Sequence, residues 1–155
     1  MDKNGILVGV CRGEQRGVGK AKVAGGYLHV NHGLDGDAHA GTAKEISLAA
    51  IEDIMALNER EGIAAGPGDF AENLTTKGLK LAEMKVGVRI RVGNKAEIEV
   101  IQIGKRPEEM TSGFNFQGYI LLPTRGVFCR VIRNGRVRIG DAVAWIGKEK
   151  GEIEI

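Results

Sequence analysis

Glycine sets the grain of this chain. Its 24 glycines are scattered along the 155 residues rather than gathered into a linker. Glycine tolerates the positive φ that tight turns need, so this spacing cuts the sequence into short runs. Ile6–Val10 reads as a buried strand and 11–20 as a polar loop. Lys20–Ala24 and Tyr27–Val30 flank Gly25-Gly26, the signature of a two-residue hairpin. Val88, Ile90 and Val92 alternate with Arg89 and Arg91, a half-buried strand that Gly93-Asn94 turns back into Ala96–Ile103. Ile120–Leu122 reads as a short strand. Asn134-Gly135 between Val127–Arg133 and Arg136–Ile139 is a second hairpin signal, and Ala142–Ile146 is the last strand.

One helix interrupts this series. Ser47 is placed to cap it, and Leu48, Ile51, Ile54, Met55 and Leu57 follow near helical spacing. Glu52 and Asp53 suit its positive end, and Gly62 stops it. Residues 66–69 form a turn, 70–79 are irregular or briefly extended, and 104–118 are a long loop without periodicity. Many short strands, tight turns and one or two helices predict a mainly β fold, a closed or mixed barrel, because closure removes unpaired edges.

The length suits a single domain over 1–155, with its core at about 9–143 and a charged tail, 147–155, that frays or pairs. A net charge of +2 argues neither for nor against a nucleic-acid surface, no Lys/Arg run supports one, and 5% aromatic residues argue against a base-stacking platform, so no nucleic-acid partner is expected. No apolar run reaches membrane-spanning length, and the first residues lack a secretory layout, so a cytoplasmic protein is expected. Cys11 and Cys129 would be reduced there.

Four segments in order resemble the MOSC family, the molybdenum-cofactor sulfurase C-terminal domain. GLDGDAHAG is similar to that family's glycine-aspartate-x-histidine stretch, and GDFAENLTTKGL to its Glu-Asn-Leu segment. VGVRIRVGNKAEIEV is similar to the strand pair that follows, and RGVFCRVIRNGRVRIGDAV to the closing hairpin. The resemblance implies a β-barrel that binds the molybdenum cofactor (molybdopterin) or a related phosphorylated pterin or oxyanion, as carrier, chaperone or sulfur-delivery protein. It implies a pterin or oxyanion ligand and, as partner, a cysteine desulfurase or a molybdoenzyme; a homo-oligomer is left open. Many members carry a cysteine in the loop equivalent to 104–120. Here that loop has Arg106, Pro107 and Glu108 after Gly-Lys, Ile120 before the final apolar residues, and no cysteine. Binding is therefore expected before catalysis.

The candidate residues follow from both readings. Asp37 can orient the His39 imidazole toward an anion or pterin edge, or simply hold the N–H groups of its own turn. Glu72 and Asn73 can meet a pterin edge or satisfy barrel backbone. The guanidinium of Arg125 suits a phosphate, assisted by Arg106, Thr111 and Ser112 from the long loop, or is solvated at a strand entry. His29, His32 and His39, with Asp35, are an alternative metal site that requires a bend at Asn31. A sulfurtransferase with a persulfide on Cys129 or Cys11 is the remaining alternative: Cys129 alternates into the core, whereas Cys11 beside a polar loop is expected to be better exposed.

Overall fold

The computed structural model describes residues 4–14, 19–105 and 115–148. It is mainly β. The strands are β1 (Asn4–Arg12), β2 (Ala21–Val23), β3 (Gly25–His29), β4 (Gly33–Leu34), β5 (Ile46–Ala50), β6 (Leu74–Lys77), β7 (Val88–Val92), β8 (Ala96–Ile103), β9 (Val127–Arg133), β10 (Gly135–Arg138) and β11 (Ala142–Lys148). Helices α1 (Ile51–Glu61) and α2 (Leu122–Arg125) accompany them, with one 3-10 turn at Leu81–Glu83.

Seven strands close on themselves in the order β11-β7-β8-β9-β5-β6-β1, and β1 pairs back to β11. Asn4 lies opposite Ala144 and Ile6 opposite Ala142 at that seam. Closure leaves no free edge in the ring, as the short-strand pattern predicts. β2 hangs outside on β1, and β10, β3 and β4 form a small second sheet.

Strand parity sorts the core into two layers. Val127, Cys129 and Val131 of β9 and Ile46, Leu48 and Ala50 of β5 point into the barrel. Phe128 and Ala49, one position out of phase, point outward and join Ile54 and Leu57 of α1, with Leu121 and Leu122, in a second cluster. The helix thus covers β5, which is buried along its whole length. Gly62 ends α1 in the left-handed region at φ 68°, with its N–H on the carbonyl of Asn58. Met55, expected on the apolar face, is 61% exposed.

Four local expectations are corrected. Gly25-Gly26 is not a hairpin turn: both lie in β3, while β2 pairs with β1 and β3 with β10. A side chain at Gly25 would stand 2.6 Å from the Val137 carbonyl, so glycine is there for close approach. Asn134-Gly135 likewise fails to fold β10 onto β9. The Asn134 amide oxygen instead accepts the Val30 N–H at 2.7 Å, which holds β10 in the second sheet. Ser47 does not cap α1. The chain from Ile46 to Ala50 pairs with β9 and β6, and these sheet bonds outweigh a helix that would otherwise begin at Leu48. Ile120–Leu122 is not a strand; Pro123, which lacks an N–H, sits in the first turn of α2. Within 70–79, β6 supplies the extended piece.

Candidate functional site

Three glycines shape the segment between β3 and β5. Gly33 takes φ 122° where a side chain would meet the Glu45 carbonyl at 2.7 Å, and Gly36 and Gly41 are also left-handed. Between them Asp37 folds the loop around its own carboxylate. Oδ2 accepts the His39 N–H at 3.0 Å, and Oδ1 accepts the Gly13 N–H at 3.0 Å from the end of β1. The Ala38 N–H donates to the Gly13 carbonyl at 2.7 Å, so the loop is pinned to β1 on both sides.

The residue that completes this centre is Lys20. Its Nζ lies 2.7 Å from Asp37 Oδ1 and 3.2 Å from His39 Nδ1. The side chains of Lys20 and Asp37 are 1% and 0% exposed, whereas that of His39 is 35% exposed. Burial disfavours the Asp37 carboxylate. It is outweighed by the Lys20 ammonium and by the backbone N–H groups of Gly13 and His39, which together hold the carboxyl well below its usual range. His39 Nδ1 is 3.7 Å from Asp37 Oδ2, beyond a hydrogen bond, so its direct link is to Lys20. An ammonium has only donors, so a neutral His39 facing a charged Lys20 is assigned the tautomer in which Nδ1 accepts and Nε2 carries the proton. The result is a buried ion pair that fixes one tautomer of an imidazole standing at the surface. The Thr42 hydroxyl donates to the His39 carbonyl at 2.7 Å and steadies the same turn.

The Glu-Asn segment lies alongside. The Lys20 N–H donates to the Gly68 carbonyl at 2.9 Å, and the Gly68 N–H donates to Glu72 Oε2 at 3.0 Å. Thr75 Oγ1 donates to the same oxygen at 2.7 Å. Glu72 is fully buried and its other oxygen, Oε1, has no partner. Desolvation pushes its carboxyl up, against those bonds. Asn73 is consumed by the fold. Its Oδ1 accepts the Ser47 N–H and hydroxyl at 3.0 and 3.2 Å, and its amide donates to the Cys11 carbonyl at 3.2 Å, tying β1 to β5.

The structure therefore brings the 37 and 72 regions together through Lys20 and Gly68. Arg125 is placed otherwise: it pairs with Asp53 of α1 at 2.9 Å. Arg106, Thr111 and Ser112 lie outside the described residues. The three-histidine metal site is not formed. The bend at Asn31 is present at φ 62°, and His29 and His32 both reach Asp35, at 2.9 and 3.5 Å. His39 is instead engaged by Lys20, and among the described residues no group of three or more ligands is assembled. The expected exposure of Cys11 is also corrected. Cys11 and Cys129 are both 0% exposed. Burial, and then the nearby Glu72, push the Cys11 thiol up to about 12; burial and Glu99 push Cys129 up as well. Lys20 itself escaped the sequence reading. Its only signal is a lysine at the mouth of a Gly-rich loop, which looks like any solvated strand end.

The donor set can be tested against a phosphorylated pterin carrying molybdenum. A tautomer-fixed imidazole donor fits the anionic, hydrogen-bonding part of such a group. The orphaned Glu72 oxygen shows polar capacity in the adjoining wall beyond what the fold uses. A soft metal needs thiolate, and both cysteines here are buried thiols whose pKa is raised, so the described residues do not supply that ligand.

Comparison with known proteins agrees with this architecture. Residues 35–144 match the MOSC domain family. No curated protein sequence matches the chain. The fold is similar to that of YuaD from Bacillus subtilis, with TM-score 0.69 and 18% identity over 90% of this chain and 94% of that one. It is also similar to YiiM from Geobacillus stearothermophilus (TM-score 0.65, 21% identity, 97% and 77% covered) and YiiM from Escherichia coli (TM-score 0.67, 20% identity, 95% and 71% covered). Among the described residues no helix is long and apolar enough to cross a membrane. With the family match over most of its length and the closed barrel beneath it, this chain belongs to the MOSC domain family.

Proposed function

We propose that this protein binds the molybdenum cofactor or a closely related phosphorylated pterin, and serves as a carrier or delivery protein for it. Membership of the MOSC family supports a molybdenum-cofactor-related role in general terms. The observation that carries the finer reading is the Lys20–Asp37–His39 cluster. A buried ion pair is costly to desolvate and is weak support for stability by itself. Here it holds one half-exposed imidazole with its Nε2–H outward. That arrangement provides a fixed donor for a phosphate or pterin oxygen, preorganised at little entropic cost on binding. His39 is the contact residue. Asp37 and Lys20 are positioning residues, and Glu72 borders them.

Binding rather than sulfur transfer is the stronger reading, because the described thiols are buried and held protonated. The test is to purify the protein from cells that make the cofactor, release any pterin by acid oxidation and measure its fluorescence. Wild type is expected to carry pterin, and His39→Ala to lose most of it while folding normally. A wild type without pterin, or a His39→Ala protein loaded to the same level, would contradict the reading.

A further inference from the structure

The same end of the barrel carries a second polar feature. An open hollow of about 770 Å3 lies between β3, β10 and the turn joining β7 to β8. Its polar lining comes from Tyr27, Asn94, Lys95, Asn134, Arg136, Arg138 and the carboxylate Asp141. None of these residues belongs to the Lys20–Asp37–His39 cluster.

Two observations set the hollow apart from ordinary basic surface. The first is pairing. Arg60, Arg89, Arg91, Arg125, Arg130 and Arg133 each face a carboxylate within 4 Å, and Arg12 donates to the Asp35 carbonyl. Among the described arginines only Arg136 and Arg138 have no side-chain partner, and both line this one hollow with Lys95. Its single carboxylate, Asp141, accepts the Arg138 backbone N–H at 2.8 Å, and a side chain at Gly93 would stand 2.7 Å from it. The second observation is shape. Arg136 and Arg138 are exposed while Gly135 and Val137 are buried, so both arginines leave the same face of β10. Arg138 lies opposite Gly25 in β3, and with no side chain at Gly25 the Arg138 stem packs close against that strand.

We infer that this hollow is a binding site for a small molecule carrying a diphosphate. Each guanidinium presents a planar fork that takes the edge of one phosphoryl group, and two unpaired forks on one strand face call for two such groups. Lys95 adds a third cation from the β7–β8 turn, and the Asn94 and Asn134 amides add neutral donors at the rim. The volume lies within the usual range of small-ligand sites.

The test is titration of the full-length protein with inorganic pyrophosphate and, separately, inorganic phosphate at constant ionic strength, followed by calorimetry and backbone amide NMR. Pyrophosphate should bind saturably and at least tenfold more tightly than phosphate, with shifts centred on Tyr27, Asn94 and Arg136. The double variant Arg136→Gln/Arg138→Gln should lose at least tenfold in affinity with an unchanged melting temperature, and His39→Ala should bind as wild type does. Equal affinity for the two anions, shifts reproduced by sodium chloride, shifts centred on His39 and Gly13, or an unaffected double variant would each overturn the inference.

Discussion

Two polar sites at one end of this barrel handle charge in opposite ways. Beside the tip of β1, Lys20 and Asp37 are buried and satisfy one another, and only the His39 ring reaches solvent. At the β3–β10 hollow, Arg136 and Arg138 are exposed and unpaired. Burying an ion pair costs desolvation that the attraction barely returns, so such a pair is kept where a fixed geometry is useful. Unpaired surface cations cost the fold little and are free to meet a ligand. One site is preorganised and the other is available.

The largest test of this contrast is to break the pair. Asp37→Ala leaves the Lys20 ammonium buried without a counter-charge and is expected to destabilise the protein by roughly 3–5 kcal/mol in urea denaturation. The double variant Lys20→Met/Asp37→Leu should lose less than Asp37→Ala alone, because no stranded charge remains. Equal losses would show that the two groups are not coupled.

Acid gives the next largest effect. The Asp37 carboxyl is held below its unfolded range, so its contribution is fully present above about pH 4 and is lost as pH falls toward the folded value. Wild type should lose stability through this window more steeply than Asp37→Asn. Glu72 has the opposite sign. Burial raises its carboxyl, so its contribution is present below about pH 4 and is lost as pH rises toward the folded value. The stability of Glu72→Gln relative to wild type should therefore increase from pH 4 to pH 8; a constant difference would place a normal, ionised carboxylate there.

The smallest effects are predicted away from buried charge. Arg136→Gln and Arg138→Gln should each change stability by less than about 0.5 kcal/mol, as for surface positions without partners. Incubation with a cysteine desulfurase should add no sulfur mass to Cys11 or Cys129 in the folded protein, since both thiols are fully buried.

The barrel was legible in the sequence because its signals are local. The alternation at Val88–Val92 and the glycine spacing act residue by residue. Strand partners were not legible, because pairing is long-range. Asn134-Gly135 has hairpin chemistry, yet a hydrogen bond from Val30 and close packing on Ala96, which a side chain at Gly135 would meet at 2.5 Å, turn β10 toward β3. Ser47 reads as a helix cap because a serine before an apolar run usually is one; its hydroxyl instead bonds Asn73. Asp37 and His39 were visible as an Asp-x-His turn. Lys20 was not, since nothing in a lone lysine tells whether its ammonium is solvated or buried against a carboxylate seventeen positions away.

The central claim is that Lys20 and Asp37 fix His39 with its proton on Nε2, ready to donate to an anionic guest. The most direct measurement is the imidazole 15N spectrum of His39 in the folded protein, recorded before and after adding the phosphorylated pterin. The account predicts an Nε2–H tautomer with an acceptor-type Nδ1, and an Nε2 resonance that moves on addition. A proton on Nδ1, or an Nε2 signal indifferent to the pterin, would contradict it.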